Sequence, residues 1–465
     1  MADELSPADS IAVSRPHLLT GPLRKTIFLL ALPVLCEQLL AYCVDLTDVW
    51  LSGRISKEAT SGIVVAGYVG WLASMIFSLV STGTTALVSR AWGSGDFPLA
   101  NRVMNRSLTL AAVVGAMYCC LIYFAAPGVA ALLNLNEEAA AIAVHYVRVD
   151  GVGNIFTSMA FAGAAALRGA GDMRSPMIVF AIVNVVNVSV SAALVFGWGP
   201  LSAIGVKGIV YGTLAARVTG GLIMLLVLHR GRGGLRISLS QWRIRGQTVR
   251  RILSVGGPSA LEGLVTWFGH FLFLMVITNL AEGEKGVAIF AAHGIGVMVE
   301  AITYLPAVAW GMAAATMIGQ SLGADDKDRA FQTGNEATRQ CSLLAGVLGL
   351  AFFFGAGLIY TFMHEDPMVH EVGIPAFKLL AFFEVPLVIS IVYVYSLKGA
   401  GDTVYPLFFS AIGVILVRVP VAYFFGIVMN GGLFGAWIGM GVDIVLRAVL
   451  VTVRYRRGRW LATRV

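Results

Sequence analysis

Ala166-Leu-Arg-Gly-Ala-Gly-Asp172 returns 230 residues later as Ser396-Leu-Lys-Gly-Ala-Gly-Asp402, and each copy runs on into a proline, Pro176 or Pro406, that opens an apolar block. Gly93-Ser-Gly-Asp96 returns at the same shift as Gly323-Ala-Asp-Asp326. Nearer the start of each half the shift is 225: Pro33 stands four residues before Glu37, and Pro258 four residues before Glu262. A longer loop after the seventh apolar block accounts for the difference. Agreement at one spacing across separate segments marks a duplicated unit.

The duplicated unit belongs in a membrane. Hydrophobic residues make up 57% of the chain and charged residues 13%, with a mean hydropathy of +0.80; soluble domains carry about 25% charged residues. A bilayer-crossing helix needs roughly 20 apolar residues. Blocks of that kind fall near 27–50, 61–89, 107–127, 139–166, 175–196 and 204–229, then near 252–280, 287–318, 340–363, 373–396, 405–428 and 433–453. The expected fold is therefore an all-α polytopic membrane protein. It has twelve transmembrane helices in two six-helix lobes related by a pseudo-twofold axis along the membrane normal, because an even number of spans per half makes both halves enter in the same direction. The chain divides into an N-terminal segment 1–26, a first lobe 27–229, a basic linker 230–251, a second lobe 252–453 and a basic tail 454–465. The acidic start MADELSPADS lacks the basic region of a cleaved signal peptide.

Charge sets the orientation. The linker from Arg230 to Arg251 holds seven Arg, and the tail adds Arg454, Arg456, Arg457, Arg459 and Arg464. With both termini cytoplasmic, only Arg54, Lys57, Lys207 and Lys285 fall outside, which is the positive-inside pattern. That pattern explains the net charge of +7 without nucleic acid. The expected location is the bacterial inner membrane, as a monomer. The five cysteines form no CxxC pair and no Cys/His cluster, so neither a disulfide framework nor a zinc site is expected. No HExxH or GxSxG motif points to an enzyme. The GAGD loops lack the GK[ST] ending of a phosphate loop. They read as tight turns between helices, with Gly at positive φ and Asp capping the next helix.

The same residues carry a family resemblance. Leu32-Pro33, Asp48-Val-Trp-Leu-Ser-Gly53, the GSGD and GADD loops, both LRGAGD/LKGAGD loops, Ala291-Ala-His293 and Arg457-Gly-Arg-Trp460 occur in order. In these elements the chain resembles the multidrug and toxic compound extrusion family over nearly its whole length. The resemblance implies a secondary antiporter that expels organic, often cationic, compounds in exchange for protons or sodium. It implies two lobes forming a V around a central cavity, and no cofactor beyond the coupling ion. A flippase for lipid-linked precursors, built on a related fold, is the alternative; such cargo calls for a cationic cavity, and mid-span Arg and Lys are few here.

Charged groups within spans are costly and are functional candidates by default. Asp45 and Asp48 lie three apart in the first span, on neighbouring parts of one helical face. Desolvation raises the pKa of a carboxylate and a nearby cation lowers it, so such a group can exchange a proton for another cation. The resemblance singles out Asp48 and matches its partners to Asn187 and Thr213, a set of oxygen ligands that suits a hard cation. The competing reading is structural, with Asp48 bonding Asn187 and Thr213 to lock the lobe. Ser191 stands where the family usually has an acid or amide, which favours protons over sodium. Thr266 and Leu387 occupy the positions of one branch's second-lobe acids, so that site does not carry over. Glu262, Glu300 and Glu384 remain candidates on bilayer cost alone, with pairing to a buried polar group as the alternative; Glu37 and Glu262, being repeat-related, lean to the structural role. Tyr42, Trp71, Trp267, Phe273, Tyr304 and Trp310 are candidates for lining an aromatic cavity. His270 and His293 read first as satisfied packing contacts. Arg217, Arg418 and Arg447 are expected to snorkel toward span ends.

Overall fold

The computed structural model describes residues 20–132, 136–198, 202–242, 246–463 and 465. The acidic start of the chain lies outside the described residues. Six long helices make up the first half: α1 Leu23–Gly53, α2 Lys57–Gly93, α3 Phe97–Leu132, α4 Glu137–Gly169, α5 Arg174–Phe196 and α6 Val206–His229. The second half repeats them as α7 Gln247–Thr278, α8 Gly283–Gly323, α9 Lys327–Met363, a bent α10 (Pro367–Ala381 and Glu384–Ala400), α11 Val404–Val428 and α12 Gly432–Arg456. Ten of these are long and apolar enough to cross a membrane, and the bent pair makes an eleventh. The remaining one, α4, has the length but is more polar, carrying Arg148, Asp150 and Asn154.

Local chemistry sets the helix ends. Ser56, Asn136, Asp326 and Asp366 each accept a backbone N–H in the first turn that follows, satisfying donors that an α-helix start leaves open. Asp172 caps α5, accepting from the N–H of Arg174 at 3.1 Å and of Ser175 at 2.9 Å. Gly171 and Gly401 take φ of +95° and +89° in the two repeat loops. The second loop departs from the expected cap: Asp402 instead takes the Arg454 guanidinium at 2.8 Å. The break in α10, a bend of 55°, has a covalent cause. Pro386 sits in the first turn after the break, where its missing N–H costs nothing, while its ring would clash with the Phe382 carbonyl in a continuous helix.

The two halves pack through α2 against α7 and α8, and through α1 against α8. The closest approaches respect the repeat. A Cβ on Gly93 would come within 2.0 Å of the Gln320 carbonyl oxygen, and one on Gly323 within 2.1 Å of the Arg90 carbonyl oxygen. Gly93 and Gly323 are 230 apart, as are Arg90 and Gln320. Each half presents the same glycine to the same backbone position of the other, which places the pseudo-twofold axis between these contacts. Only glycine lets the helices meet this closely.

The repeat also closes on itself in each lobe. Glu37 of α1 pairs with Arg168 at the end of α4, both buried. Glu262 of α7 pairs with Lys398 at the end of α10, at 2.6 Å. Lys398 is the repeat counterpart of Arg168, so the two carboxylates make equivalent pairs in the two lobes. Each ties its lobe's first helix to the conserved-in-repeat loop that follows the fourth.

Candidate functional site

In the first lobe four helices bring four polar side chains to one point. Asp48 of α1, Asn187 of α5 and Thr213 of α6 are all buried. Thr213 Oγ1 lies 3.4 Å from Asp48 Oδ2 and 3.1 Å from its own helix's Ile209 carbonyl. It accepts from Asn187 Nδ2 at 3.1 Å and from the Tyr146 hydroxyl of α4 at 3.3 Å. Tyr146 completes the cluster and was not among the residues singled out from sequence. A hydroxyl has one proton and two lone pairs. With two donors already aimed at it, Thr213 can give its single proton either to Asp48 or to Ile209.

Ser191 lies one turn beyond Asn187 on α5. It is fully buried and packs so tightly on α6 that a Cβ at Gly212 would come within 2.1 Å of its Oγ. Neither the Ser191 hydroxyl nor the Asn187 side-chain carbonyl has a hydrogen-bond partner among the described residues. The side chain of Asp45 falls outside the described residues.

A second layer supports this point. Asp150 of α4 pairs with Arg217 of α6 at 2.7 Å, and Asn154 bridges them, donating to Asp150 at 2.9 Å and accepting from Arg217. Arg217 thus lies across the middle of the lobe and does not snorkel. Asp150 offers a counter-charge a few ångströms away, which costs less than carrying the guanidinium to the membrane surface.

The second lobe holds a denser charge network. Asp443 of α12, with no exposed surface, binds Arg418 of α11 at 2.7 Å and Arg447 of its own helix at 2.7 Å. Both arginines therefore pair inside the lobe, again correcting the expectation that they reach for the span ends. His270 fits between: its Nδ1 donates to the Thr266 carbonyl at 2.9 Å, and its Nε2 accepts from Arg418 at 3.3 Å. Trp71 of the first lobe meets the His270 ring edge-on at 5.7 Å. His293 accepts from the Trp437 indole at 3.2 Å. Both histidines are thus held in packed contacts.

Glu300 of α8 lies within electrostatic reach of Arg418 and Arg447. Glu384, fully buried at the start of the second α10 segment, faces Glu300 and Thr303. Neither glutamate is in an ion pair among the described residues. Glu262 is committed to Lys398 and also accepts from Ser410 at 2.9 Å. Of the aromatic candidates, Tyr42 donates to the Met298 carbonyl across the lobes at 3.3 Å. Trp267 stacks on Phe271 with centroids 6.2 Å apart. Asp150 and Asp443 escaped the sequence reading, although both stand inside apolar blocks, where any carboxylate is a signal.

Two repeated helical bundles, each with buried carboxylates, make a multi-pass α-helical membrane protein. The MatE family profile matches residues 33–193 and 258–424, one stretch in each half, and the chain belongs to this family of multidrug and toxic compound extrusion transporters. Among its relatives, a probable multidrug resistance protein NorM of Thermotoga maritima is 28% identical over 439 residues, covering 94% of this chain and 93% of that one. The uncharacterized transporter YisQ of Bacillus subtilis is 24% identical over 459 residues, covering 97% and 98%. A solved transporter of the MOP superfamily from Pyrococcus furiosus superposes with a TM-score of 0.89 at 20% identity, covering 96% of this chain and 98% of that one. An outward-facing multidrug resistance transporter of the MATE family does so at 0.88 and 21%, covering 96% and 98%. The protein is a secondary active efflux transporter of the membrane, and these relatives do not favour the lipid-linked precursor flippase.

Proposed function

We propose that this transporter expels organic cations across the bacterial inner membrane in exchange for protons, with Asp48 loading and releasing the coupling ion. The observation that supports it is the Thr213 hydroxyl, held by Asn187 and Tyr146 between Asp48 and the Ile209 carbonyl. When Asp48 is ionised, Thr213 turns its proton to the carboxylate. When Asp48 takes a proton, Thr213 turns to Ile209 and accepts no less from its two donors. Rotation of one hydroxyl thus lets Thr213 donate to the carboxylate when it is charged and to Ile209 when it is not.

Sodium is the weaker candidate. The Asn187 carbonyl and the Ser191 hydroxyl are buried oxygens near Asp48's cluster, but a neutral hydroxyl replaces the stronger ligand, and sodium needs several oxygens. Glu300 and Glu384 form a secondary candidate for proton storage in the second lobe, since two neighbouring carboxylates hold one proton more readily than two charges. In this reading the linker 230–251 and tail 454–465 face the cytoplasm, following the positive-inside pattern.

The test is cationic-dye efflux from proteoliposomes under an imposed pH gradient without sodium. Proton coupling gives efflux in that arm. Efflux that needs a sodium gradient, and never responds to pH, rejects it.

A further inference from the structure

We infer that the cavity between α9 and α12 seats the phosphate head group of an anionic phospholipid. The cavity is a cleft open to the surface, of about 630 Å³, a volume in the range of small-molecule sites. Its walls are Arg339 and Asn335 of α9 and Arg456 of α12, and its floor is Ile389 and Tyr393 of α10. It lies at the end of the lobe that carries the basic tail, away from every carboxylate of the transport site.

The charged groups of the lining, Arg339 and Arg456, are both donors. Arg339 and Arg456 are planar donors suited to a phosphodiester. Arg456 stands within electrostatic reach of the Tyr393 hydroxyl. That hydroxyl donates to Asn335 Oδ1 at 3.0 Å, and the Asn335 amide keeps its N–H groups to offer. The local acid is Glu336, which fixes Arg339 by two bonds of 2.9 and 3.0 Å and is itself faced by Arg24. Two guanidiniums line the pocket against one neighbouring carboxylate, which Arg24 also faces, so the local balance is cationic.

The surface around it speaks for a lipid over a free anion. From Arg339 one face of α9 continues through Leu343, Val347, Leu350 and Phe354, spaced by three or four residues and each 62–81% exposed. Below Arg456, α12 presents exposed Val449 and Val453. Two apolar tracks of a membrane helix therefore end at the two arginines, so a head group between them leaves its acyl chains lying along α9. Basic pockets between spans at the membrane surface hold anionic head groups by this combination.

The probe is dioleoyl phosphatidylglycerol, titrated onto the detergent-purified transporter and read as lipid retained in native mass spectrometry and as a thermal shift. Dioleoyl phosphatidylcholine and inorganic phosphate are the comparison arms. Phosphatidylglycerol is expected to bind and stabilise, and the other two to do neither at the same concentrations. The double variant Arg339→Gln/Arg456→Gln is expected to bind it about thirtyfold more weakly, from roughly fivefold per basic residue at a membrane surface. Thr452→Trp, which fills the cavity and keeps both charges, is expected to lose binding as well, and it serves where the double variant fails to fold. Arg457→Gln/Arg459→Gln removes equal charge from the same end outside the cavity and is expected to stay within threefold of wild type. Equal binding of phosphatidylcholine, equal protection by inorganic phosphate, or wild-type affinity in both cavity variants overturns the assignment.

Discussion

The two lobes share a backbone plan and differ in where they put their acid. At the repeat spacing, Asp48 of the first lobe corresponds to Phe273 of the second, and Thr213 corresponds to Asp443. Arg217 corresponds to Arg447. In the first lobe the carboxylate sits on the first helix among neutral donors, with its charged neighbours Asp150 and Arg217 paired to each other. In the second it sits on the last helix and is saturated by two guanidiniums, while Arg418 lies over the Phe273 ring, 5.7 Å from its centroid. A carboxylate held by neutral groups can change its charge; one clamped by two arginines cannot do so without stranding them. Meanwhile Glu37–Arg168 and Glu262–Lys398 occupy equivalent places. The ties that build a lobe are kept in both copies, and the carboxylate held by neutral groups on the first helix stands in one.

The sharpest way to break this comparison is to neutralise each acid in turn. Asp443→Asn leaves Arg418 and Arg447 buried without their shared partner, a defect that costs about 3–5 kcal/mol where it has been measured for buried pairs. Glu300 offsets part of that through its reach to both arginines. The expected result is a steep loss of folded protein, seen as a lower thermal transition in detergent and poor recovery from membranes. Wild-type stability would mean that the second-lobe cluster is not structural.

Asp48→Asn is expected to do the opposite. The amide keeps the shape and still accepts from Thr213, so yield and thermal transition stay near wild type. Gradient-driven dye efflux is expected to fall at least ~100-fold, about 2.7 kcal/mol in rate terms. Robust efflux from a well-folded Asp48→Asn protein would reassign the carboxylate as a structural lock.

The repeat-related ion pairs give a smaller effect and a direct measure of equivalence. Double-mutant cycles of Glu37→Gln with Arg168→Gln, and of Glu262→Gln with Lys398→Gln, should each return a coupling of about 1–3 kcal/mol in thermal unfolding. The second is expected to be the weaker, because Ser410 still bonds residue 262 once Lys398 is gone. A coupling near zero in one pair alone would show that the halves are tied differently.

How much of this could be read in advance follows from what is local and what is not. The duplicated loops, the Asp172 cap and the Glu37/Glu262 relation all depend on residues within a turn or on a fixed repeat spacing, and the sequence displays them. The Asp443 cluster depends on helices α11 and α12 meeting at one height, with Arg418 and Asp443 25 residues apart, and spacing does not reveal that. The arginines were expected at span ends for the same reason: snorkelling is the answer when no partner is known. Tyr146 was hidden by its chemistry, since tyrosine inside a span carries no bilayer penalty that would flag it. The bend in α10 was present as Pro386, three residues past the break, in an apolar run that otherwise reads as continuous.

Ser191 gives the finest test of the ion that the first lobe exchanges. The family resemblance implies an acid or amide at this position, and Ser191 is buried against Gly212 of α6 with no hydrogen-bond partner among the described residues. In Ser191→Asp the new carboxylate cannot turn toward α6, whose backbone already fills that side. It must point along α5 toward the Asn187 carbonyl, one turn earlier, and thus toward Asp48. Two carboxylates and two neutral oxygens then make a set that a hard cation can fill, and in its absence the second charge destabilises the lobe. Sodium is therefore expected to raise the thermal transition of the variant and not of the wild type, with potassium inert in both. At a sodium concentration a hundred times the Kd the gain is about 2.7 kcal/mol. If the wild type gains as much from sodium as the variant does, the first lobe already holds that ion and the proton assignment for Asp48 fails.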